Sequence, residues 1–378
     1  MISPPRVPDA SRANGCAAGI SMGDAHSLFL KMAARVGAFL AIVNMSFVPA
    51  FSAPTEVIWK SLPAIPDKEG FAGSYAGESG GVLIVAGGAN FPDRRPWEGG
   101  TKIWHDRVFA LVPGEPQWRR AGALPCVAGY GASVSLEDGV LLIGGGDAKR
   151  NFNDVWFARW DGHEVRFEAW PRLPRPLAMC AAARAGHIVY VAGGIERPDA
   201  TVAARAFYAL NLNQRQAGWR ELPGWPGAER LLAIAGGAGD DFYLFSGARL
   251  VEGPDGKAAR QWLRDAFRFS PGRGWTEIAS LPRVAVAAPT PAPLIDGRLL
   301  VIGGDDGAQA AVAPTEHQGF PRDVLAYDPA LEAWIRKPAV PFGLVTTTLV
   351  IGQRRIVVAG GEQRPGVRST SVWAAELP

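Results

Sequence analysis

The chain has 378 residues, a formal net charge of +3 and 20% charged residues. Near-neutrality at this length gives no electrostatic ground for a nucleic-acid partner or an anionic membrane surface. Three cysteines (Cys16, Cys126 and Cys180) do not make a disulfide framework; Cys126 and Cys180 read as small core residues.

Residues 1–31 carry no periodicity and read as a disordered leader or a mis-assigned translation start. From Met32 the chain runs through Met-Ala-Ala-Arg35, an apolar stretch over 36–48 and the small-residue exit Pro49-Ala-Phe-Ser-Ala53. A basic start, an apolar core and a small-residue exit describe a secretory signal peptide. The apolar run is too short to span a bilayer comfortably. Residues 1–53 are therefore expected to be leader and signal. Residues 54–378 are expected to be an exported domain, periplasmic or secreted, with no membrane segment once the signal is removed.

Within 54–378 an apolar run ends six times in a pair of small residues: Gly87-Gly88, Gly144-Gly145, Gly193-Gly194, Ser246-Gly247, Gly303-Gly304 and Gly360-Gly361. A recurrence of roughly 50 residues marks a repeat architecture. After each pair comes a polar, variable stretch, then a short strand often led by an aspartate (Asp106, Asp154, Asp265, Asp323). A turn, a tryptophan (Trp118, Trp170, Trp219, Trp275, Trp334) and Leu-Pro or a near relative follow. One more weak strand of small and β-branched residues precedes the next pair. Four short strands per unit, separated by turn residues, make a propeller blade of the kelch type. The glycines allow close backbone approach near a crowded axis.

The sixth tryptophan is absent from the C-terminal end and stands instead in Trp59-Lys-Ser-Leu-Pro63. A ring closed by strand exchange between the termini leaves no long sheet edge unpaired. The fold expected is an all-β, six-bladed propeller whose last blade is completed by the N-terminal strand.

In such a ring the loops between second and third strands lie on one face, here 89–105, 148–153, 195–205, 248–264, 305–322 and 362–371. They are long and polar, where function on a rigid scaffold is usually carried. The segments after each Leu-Pro open on the same face and add Arg175, Arg230 and Arg283. Arginines around an axial opening suit a carboxylate, which a guanidinium binds bidentately. An acidic small molecule is the ligand class this favours.

Several segments resemble one family. Phe71-Ala-Gly-Ser, Val-Ala-Gly87-Gly-Ala-Asn90-Phe-Pro92 with Trp104-His-Asp106, and Gly129-Tyr-Gly-Ala look like the mutarotase branch of the kelch propellers. So does Gly361-Glu362-Gln-Arg-Pro-Gly-Val-Arg368, similar to the Gly-Glu-x-x-Pro-Gly-x-Arg of that branch. In the point of the ring at which its blades begin, the chain resembles the cyclically permuted subgroup of that branch. The resemblance implies interconversion of the α and β anomers of sialic acid or a related acidic keto-sugar, with Glu362 as proton acceptor and Arg368 as its companion.

That chemistry needs a group that exchanges protons near neutrality and a hold on the substrate carboxylate. Partial burial of Glu362 at the inner end of its loop would raise its pKa towards a useful range. Arg368 would pair with the carboxylate or with charge developing on oxygen. Asn90, His105, Arg150 and Arg230 are candidate substrate contacts by location, with His105 a candidate proton donor. The five histidines are scattered without paired spacing, so neither a metal nor another cofactor is expected. The competing reading is a non-catalytic propeller that binds a glycan or a partner protein.

Overall fold

Six four-stranded antiparallel sheets, five of them confined to one repeat, follow the six small-residue pairs around a ring. Their innermost strands are Tyr75–Ser79, Ala132–Ser135, Ala181–Ala185, Ile234–Ala238, Leu294–Ile295 and Leu349–Ile351, and define blades 1 to 6 in that order. This is a computed structural model, and the residues it describes are 57–253 and 256–377. The leader and signal peptide expected over 1–53 lie outside the described residues, as does Cys16.

Blade 6 takes its outermost strand from the start of the domain. Trp59–Leu62 runs antiparallel to Val372–Glu376, with Trp59 opposite Ala375 and Leu62 opposite Val372. The second strands are apolar after their first residue; Val82–Ala86 and Val140–Ile143 are buried at every position and the other four at all but the first. Continuous burial is what a strand covered by a neighbouring blade on each face requires. Six apolar clusters result, one for each junction between adjacent blades.

The tryptophans tie blades together and are not all deep anchors. The indole N–H groups of Trp118, Trp219, Trp275 and Trp334 donate to the carbonyls of Pro63, Pro171, Pro223 and Ala279, each in the preceding blade, over 2.7–2.8 Å. Trp118 is buried, whereas the other three are half-buried. Trp170 is buried with its indole nitrogen unpartnered. Cys180 is a core residue as expected, but Cys126 is exposed.

Around the axis the backbone closes a second ring. Gly73, Tyr130, Met179, Leu232, Ala287 and Thr346 each precede an inner strand and all have φ between 53° and 67°. Each amide donates to the carbonyl of its counterpart in the preceding blade: Tyr130 to Gly73, Met179 to Tyr130, Leu232 to Met179, Ala287 to Leu232, Thr346 to Ala287 and Gly73 to Thr346, at 2.6–2.9 Å. The left-handed conformation aims each N–H along the circle, and the recovered hydrogen bond offsets part of the strain that conformation carries in non-glycine residues.

The residue before each member of this ring forms a β-bridge to the residue just after the small pair: Ala72 with Ala89, Gly129 with Gly146, Ala178 with Ile195, Leu231 with Ala248, Val286 with Asp305 and Val345 with Glu362. The second glycine of each pair makes that approach possible. At Gly361, with φ +101°, an added Cβ would lie 2.8 Å from the Val345 carbonyl. Whatever side chain follows the pair is thereby held beside the axial aperture.

Candidate active site above the axial aperture

Five of the six positions after the small pair are Ala89, Gly146, Ile195, Ala248 and Asp305; the sixth is Glu362. Asp305 caps its own turn, accepting from the Gly307 amide at 2.9 Å. Glu362 instead opens a short ribbon, Glu362–Arg364 paired with Val367–Arg368, that sets Glu362 opposite Arg368. The ribbon tip leans on blade 1: a Cβ at Gly366 would meet the Pro96 ring at 2.6 Å. The site therefore straddles the seam where the ring is closed.

Glu362 Oε1 accepts from Arg368 Nη1 and from the Gly366 amide, both at 2.6 Å. No donor among the described residues reaches Oε2. The guanidinium is almost fully buried, with 4% of its side chain exposed, against 18% for Glu362. Its Nε donates to the Ala89 carbonyl at 3.3 Å, and Nη2 faces the Tyr130 hydroxyl at 3.5 Å. Phe91 lies under its plane at 5.0 Å. Arg368 thus reaches from blade 6 across blade 1 to the rim residue of blade 2. It orients Glu362 and leaves one carboxylate oxygen unoccupied.

Tyr130 is a member of the backbone ring, and a second cation, Lys102, lies over it. Lys102 Nζ lies 4.9 Å from the Trp104 ring centre and 5.0 Å from that of Tyr130. Burial holds the Lys102 ammonium below the usual lysine range, with Arg368 and Arg260 adding repulsion and Glu362 opposing. Burial likewise pushes the Tyr130 phenol up, against the fields of Arg368 and Arg260. Arg260 is exposed and comes from the ribbon Ala248–Glu252 with Ala258–Trp262 of blade 4. Beneath the rim the axial cavity is only about 50 Å³ and its walls are small or neutral residues such as Ser74, Ala233, Ala288 and Thr348. Outside the ribbon, Arg368 also borders an open cleft of about 660 Å³ with Glu69, Arg95 and Gln363.

The other expected contacts are placed differently. Arg230 is wholly buried: it donates to both carboxylate oxygens of Asp265 at 3.0 and 2.8 Å and to the Ser246 and Ala228 carbonyls, between Trp225 and Phe267. Arg283 makes the same kind of clasp to Asp323, and Arg175 pairs with Glu196 in solvent. Hence the axial opening is not lined by these arginines, because strand-leading aspartates claim Arg230 and Arg283. Arg150 is exposed over Phe152, away from the Glu362 pair.

Asn90 and His105 do come together, but under the loop. Asn90 is 1% exposed; it donates to Asp67 Oδ1 and the Gly70 carbonyl and accepts from His105 Nε2 at 2.8 Å. Burial, reinforced by Arg107, holds His105 below the usual histidine range, consistent with a neutral ring that donates. Asn90 thus ties His105, beside the strand that presents Trp104, to the segment Asp67–Gly70.

Sequence reasoning did not single out Tyr130, Lys102 or Arg260. For Tyr130 a signal existed: ring residues stand at a fixed offset before the small pair in five of six repeats, and Tyr130 is the one aromatic among them. For Lys102 and Arg260 there was none, since loop cations of equal appearance occur throughout.

A family model described as N-acetylneuraminate epimerase matches residues 50–167 and 170–310. The N-acetylneuraminate epimerase of Haemophilus influenzae (strain PittEE) is 38% identical over 127 residues, 30% of this chain and 33% of the relative. That of Salmonella enteritidis PT4 (strain P125109) is 36% identical over 137 residues, 29% of this chain and 35% of the relative. The chain thus matches about a third of the length of these curated relatives. The solved structure of YjhT superposes with a TM-score of 0.59 at 14% identity, covering 84% of this chain and 99% of that one, which shows the fold. The matched family segments end at residue 310, so the Glu362–Arg368 ribbon rests on its own geometry.

Proposed function

The chain belongs to the N-acetylneuraminate epimerase family, and on that premise we propose that it interconverts the α and β anomers of N-acetylneuraminate or a related acidic keto-sugar. The observation that carries this reading is the Glu362–Arg368 pair beside the aperture, with Oε2 left without a partner among the described residues. Oε2 takes the proton of the anomeric hydroxyl as the bond from the anomeric carbon to the ring oxygen breaks. The open keto form and a protonated ring oxygen result. Because both oxygens are bonded to one carbon, a single carboxyl group can receive a proton from the first and deliver it to the second. Rotation of the carbonyl and attack by the same hydroxyl on its opposite face reverse these steps and invert the centre. Atoms balance, and no electrons leave the sugar.

Arg368 positions this carboxylate by fixing Oε1, and the low-dielectric setting strengthens that hold. The site works outside the cytoplasm if the pattern over 32–53 acts as a signal, and small acidic sugars are its substrates. Proton NMR of N-acetylneuraminate with and without the purified domain tests the proposal. Anomer exchange faster than the spontaneous rate is expected, and no gain in rate would leave a glycan-binding propeller as the better reading.

A further inference from the structure

Anomer exchange in an acidic keto-sugar demands two holds on adjacent atoms. The anomeric carbon carries the hydroxyl that loses its proton and is bonded directly to the carboxylate carbon. The base and the carboxylate anchor must therefore flank one small space. The sequence offers Arg368 as anchor, but each of its nitrogens is already directed at the protein, Nη1 to Glu362, Nε to Ala89 and Nη2 towards Tyr130, and only 4% of its side chain is exposed.

Lys102 is differently situated. Its ammonium makes no hydrogen bond and no ion pair with any described residue, and rests between the faces of Trp104 and Tyr130. Aromatic faces attract a cation without neutralising it. Trp104 stands edge-on to Tyr130, so the two rings form a corner that fixes the ammonium over the rim. The groups whose fields reach it are Arg368 and Arg260, both positive, and Glu362, negative but not in ion-pair contact. The one carboxylate whose field reaches the Lys102 ammonium is thus already paired with Arg368.

We propose that Lys102 is the residue that anchors the substrate carboxylate, facing Glu362 across the space the anomeric carbon occupies, and that Arg368 positions the base instead. This assignment rests on the epimerase reading. It makes Lys102 a specificity determinant: neutral sugars lack the group it holds, and half-burial makes an unanswered ammonium costly. Arg260, exposed on the opposite ribbon, adds attraction at longer range.

The test compares N-acetylneuraminate with its C1 methyl ester, which keeps the anomeric hydroxyl but not the negative charge. Affinities are measured by calorimetry for the wild-type domain, Lys102→Met and Lys102→Arg. Wild type is expected to prefer the acid by about 10- to 100-fold, the range of a charge-assisted hydrogen bond. In Lys102→Met that preference falls towards unity while ester affinity and melting temperature hold. Lys102→Arg recovers part of it. Rates follow as a rise in KM with kcat little changed. Should Lys102→Met misfold, Lys102→Gln gives the same reading. A variant that keeps the full preference overturns the Lys102 assignment alone; a wild type that binds neither compound overturns the epimerase reading with it.

Discussion

Replacing Glu362 by glutamine separates a chemical role for this residue from a structural one. The amide keeps the size of the side chain, and its oxygen can still accept from Arg368 Nη1 and the Gly366 amide, now both at 2.6 Å. What disappears is the negative charge and any capacity to take up a proton. The charge-assisted bond becomes a neutral one beside a guanidinium with 4% of its side chain exposed, a loss of about 1–2 kcal/mol. For a domain of this size that corresponds to a fall in Tm of roughly 1.5–3 °C, so at 25 °C the variant remains folded. Loss of the proton acceptor costs about 10²- to 10⁴-fold in rate. The assay is proton NMR exchange between the two sialic acid anomers, with a thermal melt on the same samples. A variant that melts lower but exchanges anomers within about threefold of wild type would refute the argument: Glu362 would then serve only to order the closing blade.

Asn90→Ala should behave in the opposite way, because it strands His105 Nε2, Asp67 and the Gly70 carbonyl: about 2–3 kcal/mol of stability goes, read by chemical denaturation, with exchange per folded molecule largely kept. His105, held below its ordinary 6.5, contributes stability that is present above pH 6.5 and lost as pH falls through its depressed folded value; Asn90→Ala should weaken that dependence in melts between pH 5 and 7. Glu78 is held above its ordinary 4.5 chiefly by burial, with Arg355 opposing and one oxygen unpartnered. Its favourable contribution is complete below pH 4.5 and disappears as pH rises through the higher folded value, so Glu78→Gln should match wild type in acid and melt higher at pH 7, by about 1–3 °C. A Tm below wild type at pH 7 would show that the Arg355 contact outweighs desolvation. Thr346, β-branched at φ +53°, should gain about 0.5–1 kcal/mol on replacement by asparagine, which tolerates that conformation better; a loss would mean its side chain makes contacts at the aperture that outweigh the strain.

The sequence by itself determined the ring. Blade number, the strand exchanged at Trp59–Leu62 and the positions of the small pairs all follow from a repeat whose units bury their apolar strands only against one another. The resemblance of Gly361–Arg368 to the mutarotase branch also named the Glu362–Arg368 pair, and a tight two-stranded ribbon brings these residues, six positions apart, face to face. The fates of the remaining charges were decided in three dimensions. Arg230 looked like a rim residue and is a clasp, since Asp265, at the head of the third strand of the same blade, meets it only in the folded chain. Lys102 looked like any loop lysine and stands over the aperture, since the rings of Trp104 and Tyr130, from blades 1 and 2, converge only on closure. Local pattern dictates which strands form, because strand pairing within a blade is short-range. Which charges find partners depends on contacts between segments far apart in sequence, within a blade and across to the next, and a one-dimensional period does not record those.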